Sequence, residues 1–434
     1  MEVKKIGLWT STSLVIGNMI GAGVFMMPAA LAPYGGISIF GWLFSAIGAL
    51  LLAKVFGKLS VLVRHKNGGP YAYTRAGLGD FAGFIVAWGY WISVWVSNAA
   101  IAIAFVSALS VLFPILETNA IYAVLVGLGA IWVLTWVNSR GVRESGKLQV
   151  VTTLLKLIPL IVIIIGGLFF FDIANFTPFN PSSETPMAAI AITAAMTLYA
   201  FLGVESATVP AGNIENPEKT IPRATLLGTV VTTLIYMLST VVVMGMIPSD
   251  LLSHSPAPFA DAMAIMAGEW GRDMIAIGAA IAAFGGLNGW ILIQSQIAMA
   301  TAQDDLFPRV FRKENKKGVP ILGLVIGSIL SSIVMLMNYT GGLVEQFKFI
   351  ILLSTLCTLV PYLFTSASYG LILIERKYQM KNKISTVGIG ILSFFFSLWA
   401  IYGAGEEAVY WGFLLLLAGI PFYIWMKYRN NKNN

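Results

Sequence analysis

Charged residues are scarce in this chain, at 11% against about 25% in a soluble domain, which excludes an ordinary water-soluble globule. Cysteine is nearly absent. Cys357 stands alone, so there is no intrachain disulfide framework and no multi-cysteine metal site. Histidine occurs only as His65 and His254, far apart in loop-like sequence, so neither a zinc site nor a Ser/His/Asp hydrolase is expected. Gly68-Gly69-Pro70 lacks the spacing of a phosphate-binding loop, and nothing suggests ATP hydrolysis or any other cofactor chemistry. No nucleophile–base pair lies at membrane depth, so an enzyme is not expected.

What is abundant is apolar surface. Of 434 residues 57% are hydrophobic, with a mean hydropathy of +0.81. Apolar segments of spanning length fall at about 7–34, 37–62, 81–113, 119–138, 145–171, 187–212, 222–247, 274–302, 320–339, 347–374, 384–403 and 407–426. The expected fold class is therefore an all-α polytopic membrane protein with twelve transmembrane helices in a single domain. The N-terminus imitates a signal peptide, with Lys4, Lys5, an apolar run and Ala30-Leu31-Ala32. Pro33 would follow that cut and Asn18 interrupts the run, so it reads as an uncleaved first span.

The few charges are distributed unequally. With a cytoplasmic N-terminus, every lysine and arginine except Lys156, Arg272 and Lys348 falls on inner loops or inner span ends, while Glu117, Asp172, Glu184, Asp250, Glu406 and Glu407 lie outside. That asymmetry follows the positive-inside rule and puts both termini in the cytoplasm. The net charge of +7 is then a basic face beside anionic lipid, with no need of a nucleic-acid partner.

Two ionisable residues remain inside the membrane, Lys156 and Glu205. A charge at mid-bilayer costs at least about 2.5 kcal/mol, so each is a functional candidate for coupling or pH sensing.

The first span contains Gly17-Asn18-Met19-Ile20-Gly21-Ala22-Gly23, with Pro28 and Pro33 behind it. Each interior glycine costs roughly 1 kcal/mol relative to alanine, so the span is poorly suited to staying helical. Backbone opened at membrane depth must line a cavity or be buried in protein. A break here leaves the N–H groups of Gly21, Ala22 and Gly23 to meet a carboxylate, and carbonyls near Met19 to meet an ammonium. The motif reads as an amino-acid site at the midplane. The alternative is close helix packing across small residues.

Span 6, with Tyr199, Leu202, Gly203 and Glu205 followed by Pro210 and Gly212, is interrupted in the corresponding place. Paired interrupted helices point to an inverted-repeat transporter with its site between them. On span 3, Tyr90, Val94, Asn98 and Ile101 share one helical face, flanked by Ser93 and Ser97. Such a stripe either lines a pocket or bonds to a neighbouring helix. Trp290, within Gly285-Gly286-Leu287-Asn288-Gly289-Trp290, lies too deep for an interfacial anchor and reads as a pocket wall.

GNMIGAGVFMMP in span 1, GGPYAY after span 2, LYAFLGVESATVPAGNIENPEKTIPRA through span 6, and VVVMGMIP, SPAPF, DDLFP and LVPYLFT further on resemble the amino acid–polyamine–organocation superfamily. Within it they are most similar to the basic amino acid/polyamine antiporters. The resemblance covers essentially the whole chain. It implies a LeuT-like 5+5 inverted repeat, about 7–171 and 187–374, with discontinuous helices 1 and 6, two extra C-terminal helices at about 384–426, and a homodimer. It implies exchange of small amino acids or polyamines by alternating access across the inner (plasma) membrane. The substrate carboxylate would meet Ala22 and Gly23, and its ammonium the carbonyls of Met19, Tyr199 and Leu202. Ser93, Val94, Asn98, Ile101 and Trp290 would shape the side-chain pocket. Glu205 would sense pH, with Tyr90 as an outer gate partner and Tyr199 at a gating position.

Three departures stand out. Ala22 replaces a serine and Tyr199 replaces a gating tryptophan of the arginine-exchanging members, and Lys156 has no counterpart there. A lysine in span 5 resembles that of proton-coupled, sodium-independent permeases, where its ammonium stands in for a structural sodium ion beside span 1; the alternative is a structural cation tying span 5 to span 1 carbonyls. A proton-coupled symporter is therefore the alternative mode, and a membrane sensor or channel the alternative from another class.

Overall fold

The computed structural model describes residues 7–21, 23–63, 68–140, 142–208, 214–337, 343–375 and 383–433. No strand occurs among them. The helices are, in order, α1 (Leu8–Met19), α2 (Gly23–Leu31), α3 (Ser38–Leu62), α4 (Pro70–Ser110), the single-turn α5 (Ile115–Thr118), α6 (Ala120–Ser139), α7 (Val142–Gly167) and α8 (Pro186–Tyr199). They continue as α9 (Pro217–Met246), the single-turn α10 (Ser249–Leu252), α11 (Pro258–Gln303), α12 (Ile321–Met337), α13 (Leu343–Glu375), α14 (Lys383–Gly403), α15 (Glu406–Leu417) and α16 (Gly419–Asn433).

Eight helical stretches among the described residues are long and apolar enough to cross a bilayer, and Leu155–Phe170, Pro186–Tyr199 and Ile321–Met337 are shorter apolar helices. The chain is a polytopic all-helical membrane protein. Proline marks its helix starts. Pro70, Pro186, Pro217 and Pro258 each sit in the first turn, where a missing N–H costs no hydrogen bond and the fixed φ is already helical.

The bundle is arranged around α4, whose most apolar window is 89% buried. It packs against α11, α12 and α13, while α14 and α15 lie at the periphery. Two glycines allow direction changes that other residues resist. Gly79 in α4 has φ +83° and Gly268 in α11 has φ +69°, and each separates a leading helical segment from the long span that follows.

The two ends of the bundle differ in charge. At one end Arg75 pairs with Asp80 at 2.9 Å and with Asp304 at 2.6 Å, Lys427 pairs with Asp80 at 2.9 Å, and the Tyr71 hydroxyl donates to Asp304 at 2.7 Å. These pairs tie the start of α4 to the end of α11 and to α16. Arg309 and Arg312 hold Asp305 beside them. Desolvation pushes the Asp305 carboxyl up, but the two guanidiniums outweigh it and hold it below its ordinary value. This is the basic end of the bundle. At the opposite end Asn119 and Asp172 cap helices with their side-chain oxygens.

Candidate functional site

α1 ends at Met19 and α2 begins at Gly23, so the first span is broken where its glycines cluster. A helix end leaves its last carbonyls without intrahelical partners, and inside a membrane protein other groups must satisfy them. Here side chains from three other helices do so. Lys156 of α7 donates to the carbonyls of Gly17 and Ile20, each at 2.6 Å. Trp290 of α11 donates its indole N–H to the Asn18 carbonyl at 3.3 Å. Tyr236 of α9 donates to the Met19 carbonyl, which also accepts the Gly21 N–H. Lys156 is fully buried, and its cation sits at the negative end of the α1 dipole.

The second break meets the first. α8 stops at Tyr199, and residues 200–205 form turns before a 3-10 helix at Ser206–Thr208. Gly203 has φ +104°, and a Cβ there would stand 3.2 Å from the Asn18 carbonyl carbon. The position therefore needs glycine twice over, for its backbone angle and for the close crossing. Asn18 in turn donates to the Ser206 hydroxyl at 2.9 Å.

Between the breaks lies a cavity of about 20 Å³, lined by Asn18, Met19, Gly21, Gly23, Ser97, Ile101, Tyr199, Ala200, Leu202 and Trp290. That is room for about one water. The walls must move before anything larger enters. The Tyr199 ring lies against Gly23, where a Cβ would approach it to 2.8 Å, and meets Phe347 edge-on at 6.1 Å. Toward the end away from the basic loops, Phe25 and Phe259 pack edge-to-face at 5.2 Å.

Toward the basic end, fully buried Glu205 accepts from two phenols, Tyr90 of α4 at one carboxylate oxygen and Tyr362 of α13 at the other, the latter at 2.7 Å. One carboxylate thus ties three elements together below the cavity. A hydrogen-bonded belt runs beside it: Ser97 to Ser354 at 2.6 Å, Ser354 to the Ser93 carbonyl at 3.0 Å, and Ser93 to the Tyr90 carbonyl at 2.8 Å.

The sequence matches the amino acid permease family across residues 6–424. The chain belongs to that family. Among curated proteins, the permease is 34% identical over 428 residues to a cadaverine/lysine antiporter of Escherichia coli strain K12, covering 97% of this chain and 95% of the relative. It is 32% identical over 426 residues to a putrescine transporter of Haemophilus influenzae, covering 98% of each. It is also 30% identical over 438 residues to an arginine/agmatine antiporter of Chlamydia pneumoniae, covering 97% of this chain and 90% of that one.

Of the residues singled out in the permease sequence, Met19, Gly23, Ile101, Tyr199, Leu202 and Trp290 come together around the cavity. Ala22 lies outside the described residues. The N–H of Gly21 does not point at a ligand as expected, because it closes a turn onto Met19 at 2.7 Å. The carbonyl of Met19 is likewise engaged, by Tyr236. Ser93, Val94 and Asn98 are buried but are not among the cavity's lining residues. Asn98 instead donates to Gln294 of α11 at 2.9 Å, which bonds on to Leu324 and Ser328 of α12. The cavity-facing pair on α4 is Ile101, a member of the expected stripe, and Ser97, one of its expected flanking residues.

Tyr90, expected as an outer gate partner of Glu205, bonds to that carboxylate and lies seven residues from Ser97 toward the α4 end that carries Arg75 and Asp80. That is about 10 Å of helix on the basic side of the cavity. The polar motif was legible, but its depth relative to the cavity follows from where α8 breaks. Tyr236, Gln294, Ser354 and Tyr362 were missed altogether. Each lies among several other polar residues of an apolar span, such as Thr232, Thr233, Ser239 and Thr240 around Tyr236 or Thr355 and Thr358 beside Ser354, so nothing in the sequence set it apart.

Proposed function

We propose that this permease is a secondary amino acid/polyamine antiporter of the plasma membrane, exchanging cationic substrates by alternating access. The observation that carries the proposal is the crossing of two broken helices at a closed central cavity. Such crossings are where transporters of this architecture hold their cargo. In this reading the chain spans the membrane twelve times, with α1 to α7 and α8 to α13 as inverted repeats and the basic end facing the cytoplasm.

A bound α-amino acid would set its carboxylate at the start of α2, near Gly23. Its ammonium would lie among the carbonyls of Met19, Tyr199 and Leu202, replacing Tyr236 or the Gly21 N–H at Met19. The cationic side chain would stack on Trp290 and reach toward Ser97 and the buried Asn98 Oδ1, which has no hydrogen-bond partner. Cation–π attraction of about 2 kcal/mol when desolvated suits lysine-, arginine- and diamine-type cargo. The names of the relatives support the same class. Tyr199, Phe25 and Phe259 would close the outer path, and Tyr90, Glu205 and Tyr362 the inner one.

Two roles follow for the intramembrane charges. Lys156, satisfied by two carbonyls of α1, is a structural cation that fixes the break. Glu205, held by two phenols, is the pH-sensitive latch. A proton carrier would need a route for its proton, and Lys156 has both known partners on backbone carbonyls, which favours antiport over proton symport.

Liposomes loaded in turn with lysine, cadaverine, putrescine, arginine, agmatine and leucine test the substrate class. Uptake of labelled lysine is expected with one or more cationic loads and not with leucine. Equal stimulation by leucine would overturn the cationic assignment, and no stimulation by any load would overturn exchange.

A further inference from the structure

Away from the central cavity, a groove of about 530 Å³ opens between α3, α9, α13 and α14. On α3 its wall is Lys54, Gly57, Lys58 and Val61, spaced so that all four share one helical face. Both lysines are exposed, and no described carboxylate forms an ion pair with either. Gly57 lies between them on that face, and a Cβ there would stand 3.1 Å from Pro222 of α9, so glycine lets the two helices close at the floor of the groove.

The lysines lie in the last two turns or so of α3, which ends at Leu62. That places them at about the depth where hydrocarbon gives way to headgroups on the basic side. The remaining walls are largely apolar, with Leu226 of α9, Leu373 of α13 and Ile389 of α14. Glu218 is the one carboxylate among the lining residues.

We infer that this groove is a binding site for an anionic phospholipid of the leaflet at the basic end. Its phosphate lies between the ammonium groups of Lys54 and Lys58, and an acyl chain runs along the apolar walls. Two exposed cations one helical turn apart at the mouth of the groove match a phosphodiester. An apolar channel leading from them toward the membrane interior matches a lipid rather than a soluble anion. Because the groove joins α3 and α9 to α13, which also carries Tyr362, a bound lipid bridges helices that must shift relative to one another during exchange.

The test is native mass spectrometry of the full chain in detergent, titrated with phosphatidylglycerol, with phosphatidylcholine, or with inorganic phosphate. The parent should retain one phosphatidylglycerol in preference to phosphatidylcholine. Lys54→Gln with Lys58→Gln should weaken that binding about thirtyfold, the equivalent of about 1 kcal/mol per lysine. Lys54→Arg with Lys58→Arg should retain it, and Lys219→Gln with Arg223→Gln, on the same end but outside the groove, should leave it unchanged. Glu218→Gln should tighten it, which keeps a readout available even if the double glutamine variant fails to fold. Equal affinity in parent and double glutamine variant, or equal retention of phosphatidylcholine, would overturn the site. Displacement of the lipid by inorganic phosphate would make it a soluble-anion site and overturn the lipid assignment.

Discussion

Replacing Lys156 by methionine keeps most of the side-chain volume and removes the cation. The ammonium donates to Gly17 and Ile20 at 2.6 Å each, and the break leaves neither carbonyl a described helical donor. Each buried carbonyl left without a donor costs about 1–3 kcal/mol, so the two together come to about 2–6 kcal/mol. Methionine restores none of this. The loss falls on the segment that holds the cavity open on one side, so the variant should both melt earlier and transport poorly. Thermal unfolding in detergent reads the first effect, and counterflow of labelled lysine across a range of pH reads the second. A structural cation predicts impaired counterflow at every pH. A proton carrier would instead leave counterflow intact and lose only its response to a pH gradient. A Lys156→Met protein with the parent's melting temperature and normal transport at every pH would refute both roles.

Glu205→Gln keeps shape and removes titration, so it should fold and bind substrate while its transport becomes markedly less dependent on pH between about 5 and 7.5, measured as a rate profile. Asp305, held low by Arg309 and Arg312, loses its pairing only as pH falls through its lowered value, below that window, so it does not supply the profile. Trp290→Leu should weaken cationic substrates by about 1–2 kcal/mol and neutral ones less, read by competition binding; a uniform loss would make it a packing residue. Gly203→Ala should cost more than about 1 kcal/mol of stability, because alanine is strained at φ +104° and its Cβ meets Asn18; an unchanged melting temperature would contradict the crossing.

Much of this was legible in the chain because glycine, proline and intramembrane charge are costly at membrane depth. Gly17, Gly21 and Gly23 announced the first break, Gly203 the second, and Lys156 and Glu205 their own importance. The resemblance pointed Lys156 at the carbonyls of span 1, but not to Gly17 and Ile20 in particular, and nothing local links Tyr362 to Glu205, 157 positions away. Tyr236 looked like one aromatic among many, yet its hydroxyl ends on Met19. Helical periodicity placed Asn98 near the right face, but a rotation of one residue separates lining a cavity from bonding to Gln294. Depth was the other missing quantity: the seven residues between Tyr90 and Ser97 gain their meaning only from where the cavity sits.

Trans-stimulation reads exchange without any intervening step. Purified protein in liposomes would be given labelled lysine outside, with unlabelled lysine or cadaverine inside or with buffer alone. An exchanger gives saturable uptake that requires the internal substrate and is nearly absent from empty liposomes, with or without a proton gradient. Equal uptake into empty liposomes under a proton gradient would contradict it and make the protein a symporter.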